Sequence, residues 1–328
     1  MAKVAVVGVV GRTNAGKSTL VNALVGEKVS IVSPVEQTTR NTVRGIVADP
    51  RGQLVLLDTP GLHKAVGTLG TLLNRMARRS AAGTDITCVV FDAAQEPQLE
   101  DVGWMQRIAR EKPEKVVFVL NKADKSPFFE TMFRDAWKEA CGESAVAEAM
   151  ADERGTGNGE RGMGNGGRDV STRRPPTWVK SISTTEGGAK PVLDALFGLA
   201  EEGEKLFDDD IVTDYPRKLA MADTIREKFL SRLHQELPHE LGVIVRKIGD
   251  EGSRWCVEAD VLVNRASQKP IVIGRAATVI KNVRKAAERE LKEIFGVKVE
   301  LELWVKVEPG WMKNQKLLAE MGYLGELV

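Results

Sequence analysis

The chain has 328 residues, of which 42% are hydrophobic and 28% charged, enough to bury the cores of two domains and to stay in solution. A formal net charge of +1 excludes a protein that holds nucleic acid through its overall charge, so any basic surface must come from local segregation. No apolar run is long enough to span a bilayer, and the three scattered cysteines, Cys88, Cys141 and Cys256, show no metal-binding spacing and fit a reducing compartment.

The chain enters an apolar run at once. Residues 4–10 read as a strand covered on both faces, with no signal or transit peptide ahead of it. The next eight residues, Gly11-Arg12-Thr13-Asn14-Ala15-Gly16-Lys17-Ser18, fit the phosphate-binding pattern G-x-x-x-x-G-K-[ST]. Glycine lets successive N–H groups curl towards phosphate oxygens. Lys17 reaches the β- and γ-phosphates as a point charge, and the Ser18 hydroxyl ligates Mg²⁺. Helix-compatible residues 19–25 follow, closed by Gly26, so phosphates would sit at a helix N-terminus among Gly11, Asn14, Ala15, Gly16, Lys17, Ser18 and Thr19. Val6-Val7-Gly8 and Val9-Val10-Gly11 repeat; the distance to Gly16-Lys17 selects Gly11 as the loop start and leaves Gly8 in the strand or at a bulge.

Further strands are expected at 53–57, 86–91 and 115–120, the last two apolar in succession. Alternating with helices, they imply a doubly wound, mostly parallel α/β sheet over residues 1–200, with ligands at the C-terminal strand ends. Three segments fall at such ends. In Gln37-Thr38-Thr39-Arg40 a threonine hydroxyl, Thr39 in preference to Thr38, can complete a Mg²⁺ shell when γ-phosphate is present. In Asp58-Thr59-Pro60-Gly61 the carboxylate can hold Mg²⁺ through a water, and the Gly61 N–H can meet the γ-phosphate with no Cβ in the way. In Asn121-Lys122-Ala123-Asp124 the aspartate can accept from both N1–H and N2–H₂ of guanine, a donor pair adenine lacks. Asn121 can tie the loop, and the Lys122 stem can cover the base. Ser183 is placed to close the base pocket through a backbone N–H, with Thr184 beside it.

Residues 151–177, rich in Gly, Asn, Arg and Glu, read as a flexible insertion. An acidic linker at 201–215 leads into a second module, 216–328. It reads as helix 217–235, strands 242–248 and 254–263, helix 278–295, strand 299–307 and a short helix 314–320.

The set Gly11–Ser18, Gln37–Arg40, Asp58–Gly61 and Asn121–Asp124 resembles the translation-factor-related GTPases, and specifically the Era family. The segments Thr213-Asp214, Ile225-Arg226-Glu227-Lys228, Gln235-Glu236-Leu237-Pro238-His239, Trp304-Val305-Lys306-Val307, Trp311 and Met321-Gly322-Tyr323-Leu324 extend the resemblance to nearly the whole chain except about 141–177. It implies a P-loop GTPase domain followed by a type II KH-like α+β domain. The expected ligands are GTP or GDP with Mg²⁺. The expected role is in assembly of the small ribosomal subunit, at the 3′ end of its ribosomal RNA, by a monomer in the bacterial cytoplasm or an organelle, with peripheral membrane contact left open. Lys17, Asn14, Thr39 and Gly61 would carry catalysis.

Some positions depart from the pattern. Leu62 stands where Ras-like enzymes place a water-orienting Gln, which leaves other groups to complete the site. Related GTPases use an Asn at the position of Asn14 to bind K⁺, so slow, K⁺-stimulated hydrolysis is expected, against the plainer role of a loop-stabilising amide. His63 offers a candidate base, against the plainer reading of an incidental lone histidine. Thr184 replaces a preferred Ala. In the second module a strand at 271–273 is expected to run into Gly274-Arg275-Ala276-Ala277, where KH domains carry G-x-x-G. Ala277 replaces the second glycine and puts the backbone clamp on RNA in question. Helix 278–295 has a core stripe of Val279, Ile280, Val283, Ala287, Leu291 and Ile294. Off that stripe, Lys281, Arg284, Lys285 and Lys292 join Lys269, Gly274 and Arg275 in an RNA-binding patch. An alternative is an RNA-binding assembly chaperone with little GTP turnover. A tRNA-modification or large-subunit GTPase is disfavoured by the KH-like module.

Overall fold

The computed structural model describes residues 2–35, 38–61, 67–81, 83–155, 175–233, 237 and 239–324. The expectations for Gln37, Leu62, His63 and residues 156–174 of the insertion lie outside them. The elements run β1 (Ala2–Val10), α1 (Lys17–Val25), β2 (Val43–Asp49), β3 (Gly52–Asp58), α2 (Gly67–Ala81), β4 (Ile86–Asp92), α3 (Leu99–Glu111), β5 (Val116–Asn121), α4 (Glu130–Gly155), β6 (Thr177–Lys180), α5 (Lys190–Leu199) and β7 (Glu201–Gly203). After them come α6 (Arg217–Leu230), β8 (Gly242–Asp250), β9 (Arg254–Val263), α7 (Lys269–Ile273), α8 (Thr278–Phe295), β10 (Lys298–Val307) and α9 (Gln315–Glu320).

The first sheet has the order β2-β3-β1-β4-β5-β6 with β7 beside β1, parallel except for β2, which pairs antiparallel with β3, and β7, which pairs antiparallel with β1. The near-continuous valine and isoleucine runs of β1, β4 and β5 are buried because helices cover both faces. One layer centres on Val7, Val9, Leu20, Leu54, Leu56 and Leu196, the other on Val10, Phe91, Trp104, Phe118 and Phe133. Gly8 lies inside β1 in regular register, opposite Leu57 and Thr87, so the strand has no bulge there and ends at Val10. Gly11 then turns at φ 149°; a Cβ on it would lie 2.3 Å from the Val90 carbonyl oxygen, so only glycine lets the chain leave the sheet here.

Three expectations on this part of the chain are corrected. The acidic linker does not begin at 201: β7 pairs antiparallel with Ala2–Val4 of β1, and Ile46 N–H donates to the Val212 carbonyl, so the segment is partly laid onto the first sheet. Its charges hid this because only the backbone does the pairing. The insertion is not wholly without folded elements, because α4 continues to Gly155 and β6 begins at Thr177. Helix 217–235 is shorter, ending at Leu230 with Ser231 as its cap.

In the second sheet, of order β10-β9-β8, β10 runs parallel to β9 and β8 antiparallel to it. Helices α6 and α8 bury Ile225, Phe229, Val283, Ala287 and Leu291 against Val257, Ala259, Val261, Val299 and Leu301. Ile294, placed in the core stripe by periodicity, is 38% exposed, because it faces the space between the modules rather than the sheet. Residues 271–273 are not a strand but the end of helix α7, which opens with Lys269 and Pro270 and buries only Val272. A three-residue β-branched run cannot distinguish the two states; the proline at the first turn is the signal that could have done so.

Candidate nucleotide site and its coupling to the second module

The phosphate loop is shaped by two left-handed residues, Asn14 at φ 61° and Gly16 at φ 95°. A Cβ on Gly16 would sit 2.3 Å from Asn121 Nδ2, so the close approach of the two loops requires glycine there. Gly61 is as constrained: a Cβ would lie 2.7 Å from Thr13 N and 2.9 Å from Lys17 Nζ. Thr13, Asn14, Lys17, Ser18, Thr39 and Gly61 line one pocket at the C-terminal end of β1.

Inside it, Ser18 Oγ donates to Asp58 Oδ2 at 2.7 Å and lies 2.9 Å from Thr39 Oγ1. Asp58 is fully buried, its Oδ1 has no hydrogen-bond partner among the described residues, and burial raises its pKa. Two hydroxyls and a carboxylate converging with an orphaned acceptor suit a hard divalent cation such as Mg²⁺. The Thr38 hydroxyl is turned away, donating to the Val35 carbonyl at 2.5 Å. Lys17 donates to the Arg12 carbonyl at 2.7 Å, and burial lowers its pKa to about 8. Asn14 Nδ2 donates to the Pro34 carbonyl at 3.1 Å, linking the phosphate loop to the segment that carries Thr39.

At the neighbouring strand end, Asn121 Nδ2 donates to the Ala15 carbonyl at 3.0 Å and Lys122 Nζ to the Asn14 carbonyl at 3.0 Å. Ser183 Oγ donates to Asn121 Oδ1 at 2.8 Å and its N–H points to the same atom at 3.4 Å, so Ser183 anchors the loop rather than facing the base pocket with its N–H. Ala123 N–H donates to the Ser181 carbonyl, fixing the turn that presents Asp124. Asp124 and Thr184 are exposed. Among the described residues no group of three or more His, Cys, Asp or Glu could hold a metal, and no helix is long and apolar enough to cross a membrane.

Sequence reasoning missed the contacts that join this site to the second module. Arg40, 1% exposed, donates to the carbonyls of Leu241 at 2.9 Å and His239 at 2.8 Å. Asn41 donates to Tyr215 Oη at 2.6 Å and the Met321 carbonyl at 3.0 Å, and Lys28 reaches Glu227 at 2.7 Å and Glu290 at 2.5 Å. On the other side Leu69 and Leu73 of α2 pack with Ile244, Leu262, Trp311, Leu318 and Tyr323. An internal arginine in an otherwise loop-like segment was the available signal for Arg40.

In the second module Lys269, Arg275, Lys281, Arg284, Lys285 and Lys292 are all exposed; Arg275 lies within Gly274-Arg275-Ala276-Ala277 and Lys281 in the first turn of α8, with Arg284, Lys285 and Lys292 further along that helix. A Cβ on Gly274 would lie 2.5 Å from Val279 Cγ2. Ala276 and Ala277 adopt φ 51° and 59°, a region alanine rarely enters, so the loop keeps a glycine-type path without the second glycine.

A phosphate loop at the first strand of a doubly wound sheet, a guanine-type N-K-x-D loop beside it and a helix-turn-helix module on a three-stranded sheet define a P-loop nucleotide-binding protein with a KH domain. Family models agree: residues 6–122 match the 50S ribosome-binding GTPase model and residues 236–312 the KH domain. The GTPase Era of Leuconostoc citreum is 34% identical over 321 residues, covering 97% of this chain and 95% of that protein; that of Rippkaea orientalis is 33% identical, covering 97% and 91%. The chain belongs to the Era family of GTPases. A crystal structure of Era in complex with MgGDPNP and nucleotides 1506-1542 of 16S ribosomal RNA superimposes with a TM-score of 0.80 at 28% identity, covering 98% of this chain and 99% of that one. An Aquifex aeolicus Era variant bound to GDP.AlF4- gives 0.79 at 28% identity, covering 98% and 99%.

Proposed function

We propose that the chain binds GTP and hydrolyses it to GDP and phosphate as a switch that engages 16S-type ribosomal RNA during small-subunit assembly in the bacterial cytoplasm. The observation that carries this reading is the triangle of Ser18, Thr39 and Asp58, which brings phosphate loop, switch segment and strand-end carboxylate into one site. The GTPase unit would extend to residue 203 and the KH unit from 216.

Ser18 and Thr39 would ligate Mg²⁺ directly and Asp58 through a water; the ion would offset charge on the β- and γ-phosphates. Lys17 and the N–H groups of residues 13–19 would bind the same phosphates, the Gly61 N–H would meet the γ-phosphate, and Asp124 would read guanine N1–H and N2–H₂. Release of γ-phosphate would free Thr39, and with it the flanking residues that grip the second module. Asn14, whose amide nitrogen is held by Pro34, would offer its amide oxygen to K⁺. Lys269, Gly274, Arg275, Lys281, Arg284 and Lys285 would contact RNA. The 16S RNA bound by the related Era supports the small subunit as the target, in spite of the 50S wording of the family model.

Multiple-turnover GTP hydrolysis, measured with and without a fragment of 16S ribosomal RNA and in K⁺ against Na⁺, tests the reading. Turnover that depends on Mg²⁺, rises with K⁺ and responds to RNA supports it. Tight RNA binding without turnover would favour the chaperone alternative.

A further inference from the structure

Asn14 of the phosphate loop and Lys122 of the guanine-reading loop both hold φ 61°, in the left-handed region. Side chains other than glycine persist there only when their surroundings over-determine them. The Lys122 ammonium bridges the two, donating to the Asn14 carbonyl at 3.0 Å, and its position is set by Asp92 Oδ2 at 2.7 Å. Asp92 is 1% exposed and ends β4 opposite Asn121. Its Oδ1 accepts from Ala94 N–H at 3.2 Å, which fixes the carboxylate plane.

The same Oδ2 lies 3.5 Å from Arg12 Nη2, so one buried carboxylate sits between a cation of the phosphate loop and a cation of the guanine-reading loop. Arg12 has further partners, Asp101 Oδ2 at 3.0 Å and Gln95 Oε1 at 2.9 Å. Lys122 has Asp92 as its carboxylate among the described residues. Removing the charge of Asp92 therefore falls mainly on Lys122 and, through it, on Asn14.

We propose that Asp92 is a positioning residue: it holds the guanine-reading loop to the phosphate loop through Lys122 and so sets how long a bound guanine nucleotide stays. This rests on the reading of the pocket as a guanine-nucleotide site.

The test uses the full chain and a fluorescent GDP analogue, with association and release followed by stopped flow in wild type, Asp92→Asn, Lys122→Met and the double variant. Asp92→Asn is expected to release the nucleotide at least tenfold faster, with association within twofold of wild type and preference for GDP over ADP retained. The double variant is expected to release it no more than twofold faster than Lys122→Met alone, because both changes cut one link. Release from Asp92→Asn within twofold of wild type, or single effects that multiply in the double variant, overturns the proposal. If Asp92→Asn does not fold, hydrogen exchange of nucleotide-free Lys122→Met decides: amides of residues 12–16 should exchange at least tenfold faster, and unchanged exchange overturns the link. A wild-type chain that takes up no guanine nucleotide would sink the reading of the site, while hydrogen exchange of residues 12–16 in nucleotide-free Asp92→Asn, at least tenfold faster than in wild type if the link holds and unchanged if it does not, still judges the role of Asp92.

Discussion

Arg226 of the second module donates from Nη2 to the carbonyl of Thr38, the residue before the one whose hydroxyl meets Ser18. On the other side of Thr39, Arg40 is buried in the same module. The segment expected to sense γ-phosphate is thus gripped on both flanks by the domain expected to bind RNA. The grip is electrostatically uneven. Asp223, 3.2 Å from Arg226, is the carboxylate paired with this arginine, and Arg226 Nε and Nη1 have no hydrogen-bond partner among the described residues. Partly satisfied buried charge suits an element with two arrangements rather than one.

Replacing Arg226 with methionine keeps the bulk and removes the grip on Thr38. The ratio of RNA affinities between the GTP-analogue and GDP states should collapse towards one. Fluorescence anisotropy with a 16S ribosomal RNA fragment in both nucleotide states checks this.

Thr39→Ala removes one corner of the Ser18–Thr39–Asp58 triangle that forms only with the switch segment in place. GTP hydrolysis should fall at least tenfold, about 1.4 kcal/mol of transition-state stabilisation, with GDP affinity changed less than twofold. Ser18→Ala should in addition abolish the acceleration of GDP release by EDTA, as seen in nucleotide-release traces.

Burial lowers the pKa of Lys17 to about 8 from an ordinary 10.5. Between these values the unfolded chain binds more protons than the folded one, so stability rises with pH across that window and is lowest below about 8, where the buried lysine is charged. The gap corresponds to on the order of 3 kcal/mol. Denaturant titrations of the nucleotide-free protein from pH 7.5 to 10 should show the rise, and Lys17→Met should remove it. Bound phosphate favours the charged lysine, so calorimetry at pH 8.5 in two buffers should detect proton uptake with GDP.

Ala277 caps α8 at φ 59°. Glycine relieves this at little steric cost, so Ala277→Gly should stabilise the second module by about 1 kcal/mol and remove a methyl from the path of an RNA backbone. Denaturant titration and RNA affinity should improve together.

Arg275 and Lys281 are exposed beside that loop. Their joint reversal to Glu should weaken RNA binding and flatten the slope of log affinity against log salt by about two phosphate contacts. Unchanged affinity would dismiss this surface.

Much of this was legible because the phosphate loop and its neighbouring motifs are local: spacing within eight residues, a glycine where φ turns positive, an apolar run in front. The type of Gly274-Arg275-Ala276-Ala277 was legible for the same reason. The antiparallel edge strand β2 was not, because Arg44 and Gly45 interrupt its apolar pattern and its pairing with β3 is a tertiary fact. Neither was the burial of Arg40 and Arg226, which depends on carbonyls about 200 and 188 positions away in the chain. The mistaken strand at 271–273 came from composition overruling a proline.

The three residues of β7 have a practical bearing on how the chain can be divided. β4 accompanies β1 only from Val7 to Val10, and β7 covers the same flank of the strand over Ala2–Val4. A fragment cut at residue 200 would bare unpaired backbone on the strand that delivers the phosphate loop, an open template for self-association. Ending the fragment after Val212 would keep both β7 and the bond from Ile46, sparing the isolated GTPase half that sticky edge.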